Sequence, residues 1–422
     1  MKIIKQAEQK TYGRSAELTT SVASIIKNVR QNGDSVLKEL SKKFDKIDLP
    51  SLKITKEQIK RAYDQVTPET IKQLKFAAEQ ISFYAQKQMD CLQELKTPSK
   101  IAGVTLGHKL IPVKSCGAYV PGGRYPLPST ALMLSIPAKI AGVKRIVAVS
   151  PATGKYGTIH PAVLVSMDIG GVDEIYCVGG AQAVAALTYG TKTIRPVDMI
   201  VGPGNKFVTE AKRQVLGEVG IDSLAGPSEV LIIADGTTNP EYTAIDLLAQ
   251  SEHDPSARAT LITTDSNYAQ KVQEKLESFV KDLSTGKTAY KSWQDNGIII
   301  LADDKNEMVN IANEMAPEHL EVQTADSIEL SKKLVNYGSL FIGEYTPVAF
   351  GDYCSGTNHT LPTMRTARYS NGVYVGTFIR TLFYQHITKT GCRNLSNACM
   401  HLAEVEGLMA HKKSVSVRLN DK

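Results

Sequence analysis

The spacing of apolar positions divides the chain into a helical opening, a long α/β middle and a helical, polar end. Val22, Ile25, Ile26 and Val29 recur at the intervals that place them on one side of a helix, and Gly33 predicts where that helix stops. A second set, Val36, Leu37, Leu40 and Phe44, follows Asp34, a candidate N-cap. The first hundred residues therefore read as helices. From about residue 110 the texture changes. Short runs rich in valine and isoleucine recur, each followed by a helical stretch. They are RIVAVS (145–150), EIYCVGG (174–180), MIVGPG (199–204), VLIIAD (230–235), ATLITTD (259–265), IIILADD (298–304) and SLFIGE (339–344). Runs without polar alternation predict strands buried on both faces, hence parallel sheets covered by helices. Seven of them fit two doubly wound α/β units. After about residue 374 the pattern reads as helical and polar again, down to AHKKSVSVRLN.

Bulk properties narrow the class. A length of 422 residues asks for two or more domains, and 42% hydrophobic with 22% charged residues is ordinary for a globular chain. A net charge of +6, scattered among acids, describes a solvated mixed surface and gives no reason to expect nucleic acid. MKIIKQAEQK lacks the apolar core of a signal peptide, and no apolar run could cross a bilayer, so the expected location is cytoplasmic. The six cysteines show no CxxC spacing, which fits reduced thiols.

The chemistry concentrates in three short blocks: AQSEHDP (249–255), APEHLE (316–321) and GDYCSGTNH (351–359). Three of the eight histidines fall there, beside Gln250, Glu318 and Asp352. The segment EYTAIDLLAQSEHD reads as a helix with Ala244, Leu247, Leu248 and Ser251 on its buried side. Gln250 and His253, three apart, then project from one face and can converge on a metal ion. A histidine capping the helix end is the plainer alternative. Asp352 sits where glycines permit a tight turn that can aim a carboxylate, though turn aspartates are common. His411, beside two lysines, reads by itself as a surface histidine.

In APEHLEV, Pro317 suits the first turn of a helix, with Glu318 and His319 directly behind it. Histidine is suited to proton transfer near neutral pH, and a neighbouring carboxylate can orient or activate water. The alternative is an exposed helix start, where the dipole favours an acid. The stretches CGAYVPGGRYP (116–126), VGGAQAVAALTYG (178–190) and VGPGNKF (201–207) flank predicted strands, where backbone amides can approach a phosphate. None matches G-x-G-x-x-G, and tight α/β turns account for them equally well.

The blocks CGAYVPGG, VGGAQAVAAL, VGPGNKFVTEAKRQV, AGPSEVLIIAD, LLAQSEHDP, APEHLEV, GDYCSGTNHTLPT and EGLMAH resemble, in order, the signatures of the histidinol dehydrogenase family. The resemblance runs from about residue 110 to the C-terminus. It implies an NAD-dependent enzyme of histidine biosynthesis that oxidises L-histidinol to L-histidine through the aldehyde, with two NAD+ and one zinc ion (Zn2+) per subunit. By the same resemblance Gln250, His253 and Asp352 are zinc ligands, and His411 is the fourth, donated by the other subunit of an intertwined homodimer. Glu318 and His319 correspond to the acid/base pair. Tyr119, Gln182 and Asn205 correspond to NAD+ contacts. Ser228 and Glu406 correspond to substrate contacts, shared with Gln250, His253, His319, Asp352 and His411. His359 lies near the site and takes no role.

The implied architecture is two incomplete Rossmann-like domains with small helical terminal segments. Residues 1–15 form an arm, 16–118 with 230–373 one α/β domain, 119–229 the NAD-contacting domain, and 374–422 a helical segment reaching the partner. Some features depart from the family pattern. Gly376 and Thr377 stand where an acidic pair is usual, and GGRYPLPST and TPVAFGD resemble a paralogous branch, sulfopropanediol dehydrogenase. That branch oxidises 2,3-dihydroxypropane-1-sulfonate to 3-sulfolactate, for which Arg124 and Arg380 would be anion-binding candidates. A non-catalytic, zinc-stabilised protein is a third possibility, against which the intact Glu318–His319 pair argues.

Overall fold

The computed structural model describes residues 1–7, 15–123 and 125–419. All seven predicted apolar runs are strands, and they belong to two largely parallel sheets. The first sheet has six strands in the spatial order Lys2–Lys5, Ile298–Leu301, Arg258–Thr263, Glu229–Ala234, His319–Gln323 and Ser339–Ile342. Only the edge strand Lys2–Lys5 runs antiparallel. The second sheet has five parallel strands, ordered Glu174–Cys177, Arg145–Ser150, Ser115–Tyr119, Met199–Val201 and Gly220–Ile221. A small antiparallel sheet joins Ile379–Ile387, Val104–Pro112 and Leu95–Pro98.

Burial on both faces explains the continuous apolar runs. In the strand Glu229–Ala234, Val230 and Ile232 pack against Leu247 and Leu248 of the helix Pro240–Ser251. Leu231 and Ile233 pack on the opposite side against Met308 and Val309 of the helix Lys305–Met315. Neither face meets water, so no polar alternation survives in the sequence.

Several elements differ from expectation. The helix Ala16–Asn32 does stop at Gly33, whose φ of 58° turns the chain. Asp34, however, is the first residue of the next helix, and Gly33 occupies the N-cap position. The helices Ala16–Asn32, Asp34–Phe44, Lys56–Asp64 and Pro68–Asp90 share one hydrophobic core with the five-stranded sheet, through Val22, Leu37 and Ile81. This packing departs from the expected grouping of 16–118 with 230–373. The expected boundary at 118/119 also cuts the strand Ser115–Tyr119.

The tail after residue 374 is not wholly helical. Its nine-residue strand Ile379–Ile387 pairs along its full length with Val104–Pro112 before the helices Lys389–Val405 and Met409–Leu419. One face of that small sheet stays exposed, with Phe383 83% accessible, so its alternation is weak and its pattern ambiguous. No helix of the described residues is long and apolar enough to cross a membrane. All six cysteines are free thiols.

Candidate active site

The block APEHLE forms a strand, not the predicted helix start. Ala316 adopts the left-handed conformation (φ 47°) that closes the helix Lys305–Met315. Pro317 follows as the residue that prevents the helix from continuing, and His319 opens the strand His319–Gln323. Because side chains alternate along a strand, His319, Glu321 and Gln323 share one face while Leu320 and Val322 enter the core on the other. His319, the first residue of its strand, is paired with Val230, the second residue of the neighbouring parallel strand.

The backbone of Glu229 holds both members of the candidate acid/base pair. Its N–H donates to Glu318 Oε2 at 2.9 Å. Its carbonyl accepts from His319 Nδ1 at 3.1 Å. A carbonyl can only accept, so Nδ1 carries the hydrogen and Nε2 is left as the reactive nitrogen. That Nε2 lies 3.5 Å from Asp352 Oδ1, too long and unaligned to count as a hydrogen bond, while Nδ1 lies 3.6 Å from Glu318 Oε2.

Burial governs the electrostatics. Desolvation pushes the Glu318 carboxyl up to about 8. Burial alone would lower His319, but Glu318 and Asp352 outweigh it and raise the imidazole to about 9. Desolvation would likewise raise Asp352, yet the surrounding histidines hold it below its ordinary value. His253 retains solvent contact, and the protein packed around its ring lowers its pKa, with Asp352 opposing. Glu318, with its high pKa, and His319 are thus suited to exchanging protons, while His253 is biased neutral and Asp352 anionic, the states a metal requires.

The candidate ligands come from two helices and a turn. Gln250 is buried in the last turn of the helix Pro240–Ser251, whose buried side includes Ala244, Leu247, Leu248 and Ser251 as expected. The helix ends two residues before His253, so His253 lies in the turn beyond it. Asp352 lies on the short helix Val348–Tyr353 and not in a loop turn. Three buried polar atoms, Gln250 Nε2, His319 Nε2 and Asp352 Oδ1, have no hydrogen-bond partner among the described residues. Unsatisfied buried atoms are costly, and their presence here is the mark of a site built for something else.

One chain does not complete a metal site from charged and sulfur ligands: no group of three His, Cys, Asp or Glu side chains among the described residues could hold an ion. The expected set includes a carboxamide and a histidine from another subunit, so only His253 and Asp352 would count. His411 and Glu406 are exposed on the C-terminal helical segment, and neither side chain makes a hydrogen bond or ion pair within the described residues.

The other expected contacts fall at the carboxyl ends of the five-stranded sheet. Tyr119 ends its central strand, and its hydroxyl accepts from the Gly180 N–H at 2.9 Å. Gln182 is buried in the first turns of the helix Gly180–Tyr189. Asn205 caps the helix Lys206–Val215 through Oδ1. The strand order reverses between Ser115–Tyr119 and Met199–Val201, the place where open α/β sheets bind ligands. The loop there is tied down: Gly202 donates to Asp222 Oδ2 at 2.7 Å and accepts from Lys212 Nζ at 2.9 Å, while Lys212 and Asp222 form a buried ion pair. Ser228 immediately precedes Glu229 and is half-buried. Arg124 lies outside the described residues; Arg380 is exposed and donates to the Pro112 carbonyl.

Two features escaped the sequence. His359 bridges the two halves, with Nδ1 on the Asp352 carbonyl at 2.9 Å and Nε2 on Thr130 Oγ1 at 3.1 Å. Its position in the TNH block was the available signal. Glu229 also accepts from the Met364 N–H at 2.8 Å, and Met364 and Arg365 both have positive φ. Nothing in the residue types announces that strained pair.

Two largely parallel sheets, with an acid and a histidine buried at a strand end and orphaned polar atoms around them, make an α/β protein with a site suited to proton transfer. The chain belongs to the histidinol dehydrogenase family, whose model matches residues 8–419. It is 43% identical to the histidinol dehydrogenase of Methanocaldococcus jannaschii over 99% of this chain and 97% of that protein. It is 46% identical to that of Rhizobium meliloti over 96% and 93%. The crystal structure of histidinol dehydrogenase from Elizabethkingia anophelis superposes with a TM-score of 0.92 at 37% identity, covering 97% of this chain and 94% of that one. Membership of an enzyme family removes the non-catalytic alternative.

Proposed function

We propose that the chain oxidises L-histidinol to L-histidine through the aldehyde, reducing two NAD+ and using one zinc ion per subunit. The observation that carries this is His319, held by the Glu229 carbonyl through Nδ1 with Nε2 unpartnered 3.5 Å from Asp352 Oδ1. Gln250, His253 and Asp352 would hold the zinc with His411 of a second copy. Their chemistry fits: one anionic oxygen, one imidazole biased neutral, and one buried carboxamide without a full set of partners. When bound, the ion supplies a fixed anchor for the substrate's nitrogens, and NAD+ supplies the hydride acceptor.

His319 Nε2 takes the hydroxyl proton as the carbinol hydride departs. Glu318 then removes a proton from water as it adds to the aldehyde, and a second hydride departure from the hydrate gives the acid. Glu318 is suited to this because its raised pKa lets it both take and release a proton near working pH. Tyr119, Gln182 and Asn205 would flank the dinucleotide, and Ser228 and Glu406 the substrate, Glu406 meeting its ammonium group. Leu402, Val405, Leu408 and Met409, apolar yet exposed around Glu406 and His411, support a C-terminal segment seated on a second copy.

NAD+ reduction with zinc present, assayed on histidinol and on 2,3-dihydroxypropane-1-sulfonate, tests the proposal. Turnover of histidinol supports it; turnover of the sulfonate alone overturns it in favour of the paralogous activity.

A further inference from the structure

A buried polar network lies beside the site and takes no part in the chemistry above. Glu321 follows His319 on the same strand face and is 1% exposed. Its Oε1 accepts from the Val348 N–H at 3.0 Å, the first residue of the helix that carries Asp352. Its Oε2 accepts from Gln323 Nε2 at 2.8 Å. The same Nε2 donates to Asp246 Oδ2 at 3.0 Å, and Asp246 lies one turn before Gln250 on its helix. Gln323 Oε1 in turn accepts from Thr243, whose hydroxyl meets Tyr268 at 2.7 Å. One cluster therefore ties the strand of His319, the helix of Gln250 and the helix of Asp352 together.

Two carboxylates crowded on one amide donor, Glu321 buried and Asp246 half-buried, repel each other and resist ionising together. Asp246 Oδ2 and Glu321 Oε2 both lie within hydrogen-bond reach of the one Gln323 Nε2, so a proton held between them relieves their repulsion. Among the described residues their hydrogen-bond donors are the Val348 N–H and the Gln323 carboxamide, with no lysine, arginine or histidine. Tyr268, beyond Thr243, is a further titratable group facing the cluster.

We infer that Asp246 and Glu321 share a single proton and act as a positioning pair, fixing the three elements that bear His319, Gln250 and Asp352. The consequence for Gln250 and Asp352 rests on their reading as zinc ligands. The proton itself does not.

The sign of the effect follows from linkage. Burial raises Asp246 to about 6 and Glu321 well above 4.5. The folded chain thus holds a proton that the unfolded chain has lost, and stability falls as pH rises from the ordinary carboxyl range to the pair's own. Asp246→Asn replaces the proton with a permanent N–H donor and leaves an oxygen for Gln323. Thermal unfolding of chelator-stripped protein is compared with the wild type across pH, alongside zinc affinity by chelator competition. The Tm difference, variant minus wild type, should climb with pH and level off once the pair has ionised; a difference that stays flat overturns the shared proton. Glu321→Ala should weaken zinc binding by roughly tenfold or more, as loss of an outer supporting contact does. Wild-type affinity in that variant overturns the positioning role. If it does not fold, the zinc affinity of Asp246→Asn replaces it: affinity less sensitive to pH than the wild type supports the role, and parallel profiles overturn it. Failure of wild-type protein to take up zinc would remove the ligand reading, while the unfolding curves of stripped protein would still decide the proton.

Discussion

His319 donates through Nδ1 to the backbone carbonyl of Glu229 at 3.1 Å, although in the strand register its partner is Val230. The imidazole thus reaches back to the first residue of the neighbouring strand, and both its tautomer and its orientation are set by main chain. A side chain fixed in this way works as a base only through Nε2. His319→Asn should lower kcat for alcohol oxidation by roughly 10²–10⁴-fold while bound zinc, measured by metal analysis, stays at one per subunit. Near-normal turnover would remove His319 from the proton transfer.

Glu318 has a different task, and its loss should show in a different step. Glu318→Gln keeps an oxygen for the Glu229 N–H at 2.9 Å but cannot take a proton from water. Single-turnover assays started from the alcohol and from the aldehyde separate the two oxidations. The aldehyde step should slow at least about tenfold more than the alcohol step. Equal slowing would count against the assignment.

The pH profile follows from the two raised values. With Glu318 near 8 and His319 near 9, both groups hold protons at neutral pH in the metal-free chain. Turnover should therefore rise through the mildly alkaline range, as each loses its proton. Zinc on Asp352 would offset one of the two anions that retain the proton on His319, so saturating zinc should move the rise to lower pH. Flat kcat between about pH 7 and 9 would oppose the model of a buried base.

Away from the site, Glu174 sits between Arg145 at 2.7 Å and Arg195 at 2.8 Å, and Arg145 first among its partners holds the carboxyl down to about 2. A depressed carboxyl stabilises above the unfolded value near 4.5 and loses that contribution as pH falls towards 2. Glu174→Gln should cost roughly 1–2 kcal/mol at pH 7, allowing for solvent around Arg195, which is 72% exposed. The Tm gap to the wild type should shrink in acid. A gap independent of pH would mean the pair contributes only packing.

Sharing of sites between subunits can be tested by mixing. Asp352→Asn and His411→Asn should each be inactive alone, since each spoils every site of its own dimer. Unfolded and refolded together, they should regain about a quarter of wild-type activity, because half the dimers carry one site with both ligands intact. No recovery in verified mixed dimers would place His411 in its own chain's site or outside any site.

The sequence is most legible where one physical requirement acts alone. Strands such as Arg258–Thr263 and Ile298–Leu301 are buried on both faces, so their apolar runs admit one explanation. The motif residues of the site were likewise visible, because their types are rare and their blocks short. What failed involved competition. Pro317 suits a helix start and a helix end equally, and only the left-handed Ala316 decides between them. The strand Ile379–Ile387 faces solvent on much of its surface, which erases the pattern that would mark it. The grouping of the first four helices depends on which distant sheet receives their apolar faces, and periodicity says nothing about that. Asp246 and Glu321 read as surface acids on any residue scale; only the fold brings them together on one amide, with Glu321 buried.

At the end of the strand Met199–Val201, the peptide groups of Gly202 are engaged from both sides by Lys212 and Asp222. Such a loop is shaped during folding, well before any ligand arrives, so docking removes little further freedom from it. Affinity at that strand end and the melting point of the free protein should therefore respond together to any change at Lys212, two properties usually altered apart.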